Sequence, residues 1–358
     1  MYFFLICLLV ILAEFAITKG RLFIDRLIQY APMLLFFFAL PLVSLLVWGG
    51  DIDSYWIRGS YEKFHGYLLY SGIIVLTFAL SLQSAGEKKK LIYATLSGTL
   101  IVSVIALIEA SGVSVFFDRR ADVWGGGLRT ISTLGNPNYL AGYLLLCLPL
   151  ARMIRSPERP ILMLLIAAAL VTTGSYIGMA IMGMYGIYMM LVWFFTRYLQ
   201  DIDKKIPSIL TIVIVIVGLA IGYALLPADK LLSLTSRWVL MREVWTELIR
   251  YPLSLITGYG PESVLRFFMD TRAPLVDAYF PHESMIDSSH NTLLDILFQY
   301  GLAPLVLIGW YLMRNRHDSH PYARESAILG IAFLMLNPYV VTHLVLLSLT
   351  LTYHGEQK

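Results

Sequence analysis

Charge is scarce in this sequence. Of its 358 residues only 14% are Asp, Glu, Lys or Arg, where a water-soluble domain carries roughly 25%. With 58% hydrophobic residues and a mean hydropathy of +0.71, the apolar surface exceeds what one aqueous core can bury, so lipid must be part of the solvent. Cysteine is nearly absent. Cys7 and Cys147 both lie inside apolar runs, which excludes a disulfide framework and predicts buried thiols. No CxxC pair and no His/Cys cluster occurs, so neither a metal nor a cofactor is expected. The net charge of +3 is dispersed over short loops between apolar runs, which argues against a nucleic-acid partner and fits membrane orientation. Met1 opens directly into an apolar run without a basic leader or small-residue cleavage site, so that run is expected to remain as a span. No repeat, low-complexity tract or soluble domain interrupts the chain, which reads as one integral membrane domain over 1–358.

What is present is a series of apolar runs long enough to cross a bilayer, each near 20 residues. They lie near 2–18, 29–49, 66–85, 91–110, 137–154, 160–174, 177–197, 208–226 and 292–313. The last stretch, 325–353, is too long for one span and is interrupted by Asn337-Pro338, where proline removes a helix hydrogen bond. Two short helices joined there give an all-α, polytopic membrane protein of about eleven spans, with ten as the alternative. The basic residues set the orientation. Lys19, Arg21, Arg26, Lys88 to Lys90, Arg152, Arg155, Arg159, Arg197, Lys204, Lys205, Arg314, Arg316 and Arg324 fall in alternate loops. These are fifteen of 27, and the positive-inside rule makes their loops cytoplasmic. The opposite face then receives 50–65, 111–136 and the long polar loop 227–291, the segment where function is expected to concentrate. Within it Ser236 to Arg250 reads as an amphipathic helix lying along the membrane surface. Trp238, Met241, Trp245 and Leu248 make its apolar side, with Glu243, Thr246, Glu247 and Arg250 opposite.

Several residues could carry chemistry. Arg237 points with Met241, Val244 and Leu248 at ~100° per residue, on the apolar face. It is either an arginine snorkelling to lipid headgroups or a phosphate ligand, for which the planar guanidinium is suited. Arg242 sits at the edge of the same face, as a second ligand or a solvated side chain. His290-Asn291 ends the long loop where an apolar run begins. With Ser288 or Ser289 as N-cap, His290 falls in or beside the first turn, where the helix dipole favours a neutral, proton-accepting imidazole. An ordinary interfacial capping histidine is the alternative. His282 is a weaker candidate. Thr292, Asp295 and Gln299 share a helical face, either lining a polar cavity or satisfying a buried hydrogen-bond network. Asn136-Pro137 reads as an N-cap with proline at N1, which explains Asn136 but neither Asn138 nor Arg129. Glu14, Glu109 and His343 are intramembrane ionisable groups. They keep open a second class of function, a small-anion transporter. A scaffold for envelope assembly is a third. The pairs Asp51/Asp53 and Asp201/Asp203 fall on opposite faces and are rejected as a metal site.

Taken in order, these elements resemble the O-antigen ligase and O-antigen polymerase superfamily of bacterial membranes, from about Trp124 to Gly301. The resemblance rests on Arg129 ahead of Gly135-Asn136-Pro137-Asn138-Tyr139-Leu140-Ala141 and on Ser236-Arg237-Trp238 with Trp245. Tyr251-Pro252, Gly258-Tyr259-Gly260, and His290-Asn291 before Leu293-Leu294 and Gly301 complete it. A departure is Gly174-Ser175-Tyr176-Ile177-Gly178, where relatives often carry a Ser-Arg-Gly-like element; the missing charge could be supplied by Arg119, Arg120 or Arg242. The resemblance implies a metal-independent, inverting glycosyltransferase of the bacterial cytoplasmic membrane. It would take a glycan from undecaprenyl diphosphate on the periplasmic face, passing it to lipid A-core (a ligase) or to another lipid-linked unit (a polymerase). Its partners would be a polyprenyl-diphosphate-linked glycan donor, a glycolipid or glycan acceptor, and membrane lipids. Arg129, Arg237 and Arg242 would meet the growing negative charge of the leaving diphosphate. His290 would be the general base, and Asn136, Asn138, Asn291 and His282 would contact substrate.

Overall fold

The computed structural model describes residues 10–49 (without 11 and 15), 52–58, 66–115, 129–154, 157–198, 228–272, 286–314, 320–338 and 340–353, with a few isolated positions. Every regular element among them is helical. The long helices are α1 (Gly20–Trp48), α2 (Tyr67–Leu82), α3 (Ala85–Ala110), α4 (Pro137–Ala151), α5 (Arg159–Thr172), α6 (Tyr176–Tyr198), α7 (Ala228–Arg250), α8 (Thr292–Tyr300), α9 (Ala303–Arg314), α10 (Pro321–Leu334) and α11 (Val341–Thr352). Two of them, α3 and α6, are long and apolar enough to cross a membrane by length and composition. Most of the runs expected as spans at 2–18 and 208–226 lies outside the described residues, as do Cys7, Arg119 and Arg120.

Local signals set the helix ends. Ser84 and Glu87 form a reciprocal capping box at the start of α3, each satisfying an amide the helix cannot. Asn136 caps α4 by accepting from the Asn138 amide, and Pro137 occupies N1, where its missing N–H costs nothing. The Asn337-Pro338 break separates α10 from α11 where the sequence places it.

Helix α4 is the centre of the main bundle. Twelve of its fifteen residues are buried, as suits a helix that is apolar all round, and α3, α5, α6, α10 and α11 pack against it. Its approach to α10 and α11 depends on missing side chains. A Cβ on Gly142 would strike the Phe333 and His343 rings, and one on Gly330 would strike Leu146. Cys147 is a free, buried thiol on the same helix.

The two ends of this bundle differ in chemistry. At one end Arg152 meets Glu325 at 2.6 Å, with Tyr185 also donating to Glu325. Lys88 donates to the Thr352 carbonyl at the end of α11 (2.6 Å), and Lys19 pairs with Glu87. Three of the basic residues assigned to the cytoplasmic loops thus gather at one end. At the other end lie the start of α4, the α10–α11 turn and the start of α8.

A second, smaller core is built by the segment after α7. Leu240, Val244 and Leu248 of α7 pack with Val264, Phe267, Phe268, Ile286, Leu297 and Phe298. This corrects the expected orientation of α7. Trp238 and Trp245 are exposed, at 65% and 49%, and form a second apolar side. Glu243 and Glu247 turn inward, where Arg272 pairs with them at 3.3 and 3.8 Å. Packing against the segment that follows α7 and against α8 decided which face turned in. The helix also starts earlier than expected, at Ala228.

The run 292–313 is not one helix. It breaks at Gly301, whose φ of 71° suits glycine. The amides of Tyr259 and Gly260 bond the carbonyls of Phe298 and Gln299 (2.8 and 2.9 Å), and Leu302 donates to Leu255 (2.8 Å). The Gly258-Tyr259-Gly260 element thus takes up the backbone groups that the break frees. A Cβ on Gly258 would collide with the Gln299 backbone.

Candidate functional site

The loop entering α4 is fixed from below by an acid. Glu109, 1% exposed, accepts the amides of Ile131 (3.0 Å) and Ser132 (2.8 Å), while the Thr130 amide bonds Thr172 of α5 (3.1 Å). Glu109 therefore has a structural task in this loop. The arrangement sets Arg129, whose Nε donates to the Thr173 carbonyl (2.9 Å) and whose Nη2 reaches Asn138 Oδ1 (3.4 Å). Its stem lies across Gly174, φ 60°, where a Cβ would press on it. A guanidinium has five N–H donors; two are used here. No carboxylate pairs with Arg129 among the described residues. Burial lowers its pKa, and Tyr176 nearby acts the other way.

The second loop, 286–291, delivers His290. The N-cap of α8 is Asn291, whose side chain accepts from the Leu294 amide (3.0 Å), not Ser288 or Ser289. His290 stands just before it at φ 62°, a left-handed backbone uncommon for a side-chain-bearing residue. Asp295 holds the loop, accepting from Ser288 Oγ (2.6 Å) and the Ser289 amide (2.9 Å). Thr292 donates to the Asn337 carbonyl (2.7 Å) and Gln299 accepts the Glu262 amide (2.8 Å). The polar stripe of α8 is thus a buried bonding network, one of the two alternatives the sequence left open.

The α10–α11 turn joins the pieces. Arg237 Nη1 donates to the Leu336 carbonyl (3.1 Å), the next residue, Asn337, receives Thr292, and Asn291 Nδ2 touches Met241 Sδ, one turn along from Arg237 (3.8 Å). His343, just past the same turn, bonds the Tyr139 carbonyl (2.8 Å), the neighbour of Asn138. Arg237, the first residue of α8 and the first turn of α4 therefore each bond a residue of, or just past, this one turn. Asn337 is the residue that sequence reasoning missed. Its Asn-Pro signal was used only to end a helix, although it is fully buried.

Two candidates do not join this group. Arg242, expected beside Arg237, has a side chain 58% exposed and pairs with Glu243 at 3.2 Å; five residues at ~100° each carry it to the other side of α7. His282 lies outside the described residues. Among the described residues no group of three His, Cys, Asp or Glu side chains is spaced for a metal. Below the turn an apolar cavity of about 150 Å³ is lined by Tyr70, Ile296, Tyr300, Leu344, Leu347 and Leu351, among others. Helix α8 leads from the His290 loop towards it.

The fold and site together define a helical protein with membrane-capable helices and a polar, arginine-bearing site at one end of its bundle. Residues 161–311 match the family model described as O-Antigen ligase. The match contains Arg237, Arg242, His290 and Asn291; Arg129, Asn136 and Asn138 precede it. No curated protein and no solved structure matches the chain.

Proposed function

We propose that the protein is a membrane glycosyltransferase that moves an O-antigen-type glycan from undecaprenyl diphosphate to lipid A-core on the periplasmic side of the cytoplasmic membrane. The observation that carries this is Arg129: half-buried, without a carboxylate partner among the described residues, with three donors unspent. A cation in that state is costly unless an anion completes it. A diphosphate has the charge and the oxygens, and the guanidinium fork matches phosphate geometry. Arg237, tied to the Leu336 carbonyl, would share that load as charge grows on the leaving group. His290 would take the proton from the acceptor hydroxyl as its oxygen attacks the anomeric carbon. One displacement breaks the sugar–phosphate bond and inverts the anomeric centre. Asn138 would orient phosphate or sugar oxygens, whereas Asn136 and Asn291 spend their side-chain oxygens on caps. The apolar cavity suits a polyprenyl chain, since α8, about 13 Å long, runs from the His290 loop to Ile296 and Tyr300. The exposed Trp238 and Trp245 suit an interfacial position for α7.

The transporter alternative loses support from the same contacts. Glu109 is engaged by two amides and His343 by a carbonyl, so neither stands ready to relay a proton. The test is complementation of ligase-null and polymerase-null strains, read as lipopolysaccharide ladders. The wild-type chain is expected to restore capped ladders in the ligase-null strain. His290→Ala should abolish them at equal protein level, and undiminished ladders from that variant would remove the proposed base. Restored chain length in the polymerase-null strain alone would reassign the acceptor.

A further inference from the structure

We propose that Asp295 and Ser288 are positioning residues that fix the direction of the His290 imidazole, an inference resting on the assignment of His290 as base. The His290 amide donates to Ser288 Oγ (3.0 Å), and the Ser288 hydroxyl donates to Asp295 Oδ2 (2.6 Å). The other oxygen of Asp295 accepts the Ser289 amide (2.9 Å). Ser288, Ser289 and Asp295 are 3%, 0% and 2% exposed, so no bulk water competes for these bonds. A carboxylate only accepts. It therefore orders the chain: the single Ser288 proton points to Asp295, which leaves the hydroxyl lone pairs for the His290 amide.

That order matters because His290 is held at a positive φ, which persists only where surrounding contacts over-determine it. The same device recurs elsewhere in the fold. Ser132, Glu262 and His290 are the three non-glycine residues with positive φ among the described residues. Glu109 accepts the amide of Ser132, and Gln299 accepts that of Glu262. For His290 the anchor is Asp295 acting through Ser288. Since Thr292, on the same helix, is tied to Asn337, the backbone that carries the imidazole is referenced to the turn that Arg237 also grips.

The test is a mutant cycle on glycan transfer in membranes of whichever null strain the wild type complements, with donor varied. Asp295→Asn is expected to lower kcat ~30-fold and Ser288→Ala ~10-fold, with KM for the donor within about threefold, as for misplacing a base rather than losing binding. The double variant should be no slower than Asp295→Asn alone, because both act through one chain. In a His290→Ala background neither change should lower the residual rate further. Multiplying losses, losses confined to KM, or an Asp295→Asn effect that persists without His290 would overturn the proposal. Should Asp295→Asn not accumulate in membranes, Ser288→Ala with and without His290→Ala decides, and an unimpaired Ser288→Ala overturns it. A His290→Ala protein with wild-type transfer is a different result: it removes the base itself, and the positioning role with it.

Discussion

Each end of α4 carries an arginine, and the two are treated in opposite ways. Arg152 sits where the helix carbonyls end, the favourable place for a cation, and is neutralised by Glu325 at 2.6 Å with the Tyr322 ring beneath it. Arg129 lies beside the start of α4, the end that repels cations, and bonds only a carbonyl and an amide oxygen. The Thr173 carbonyl at the end of α5 offsets part of that cost. The first arrangement is complete within the protein. The second leaves three N–H donors unspent, as the proposed substrate-facing charge requires.

Substitutions can break that contrast. The largest effect is expected from Arg129→Ala, about a 100-fold loss in kcat/KM for glycan transfer, the loss typical of one charge-stabilising donor set, with thermal stability nearly unchanged. Arg129→Lys should recover little, since an ammonium lacks the planar fork. Arg152→Ala should do the reverse: stability falls by about 2 kcal/mol, less than for a fully buried pair because these side chains are partly exposed, while transfer per folded molecule holds. Thermal denaturation in detergent reads this. Arg152→Met with Glu325→Leu should restore stability to within about 1 kcal/mol of wild type, because no charge is left unpaired. If that pair instead abolishes transfer, the division of labour between the ends is wrong. Glu109→Leu should cost roughly tenfold in kcat, by loosening the amides that set Arg129, and Glu109→Gln much less. The smallest effect is expected for Arg242→Ala, under about 0.5 kcal/mol in stability, as for an exposed pair, with transfer within twofold.

Much of this contrast is legible in the sequence. Helix α4 announces itself by an Asn-Pro start and an unbroken apolar run, and the Asn337-Pro338 break is where proline chemistry places it. Asn136 was correctly read as a cap, and Arg129 and Asn138 were singled out because capping could not explain them; the structure puts them in contact. What failed did so for tertiary reasons. The partners of Arg237 and Arg129 are 99 and 44 residues away, and no local pattern encodes such distances. The orientation of α7 was misjudged because the helix has two apolar sides. The inward acids are met by Arg272, outside the helix, with Arg242 also reaching Glu243. The N-cap of α8, expected at Ser288 or Ser289, is Asn291, because the backbone turns left-handed at His290. Gly301 was recognised as a motif residue but not as a helix break, since apolar composition continues straight through it.

The break at Gly301 has a mechanical meaning. Interrupted membrane helices often serve carriers as the place where loosened carbonyls grip an ion and later release it. Here Phe298 and Gln299 have given those carbonyls to Tyr259 and Gly260, and Trp48 of α1 clasps the adjoining Gly258 carbonyl at 2.9 Å. The interruption is a rivet rather than a gate. It fastens the segment after α7 to α1 and α8, so the bend between α8 and α9 is a bonded joint whose carbonyls are already spoken for.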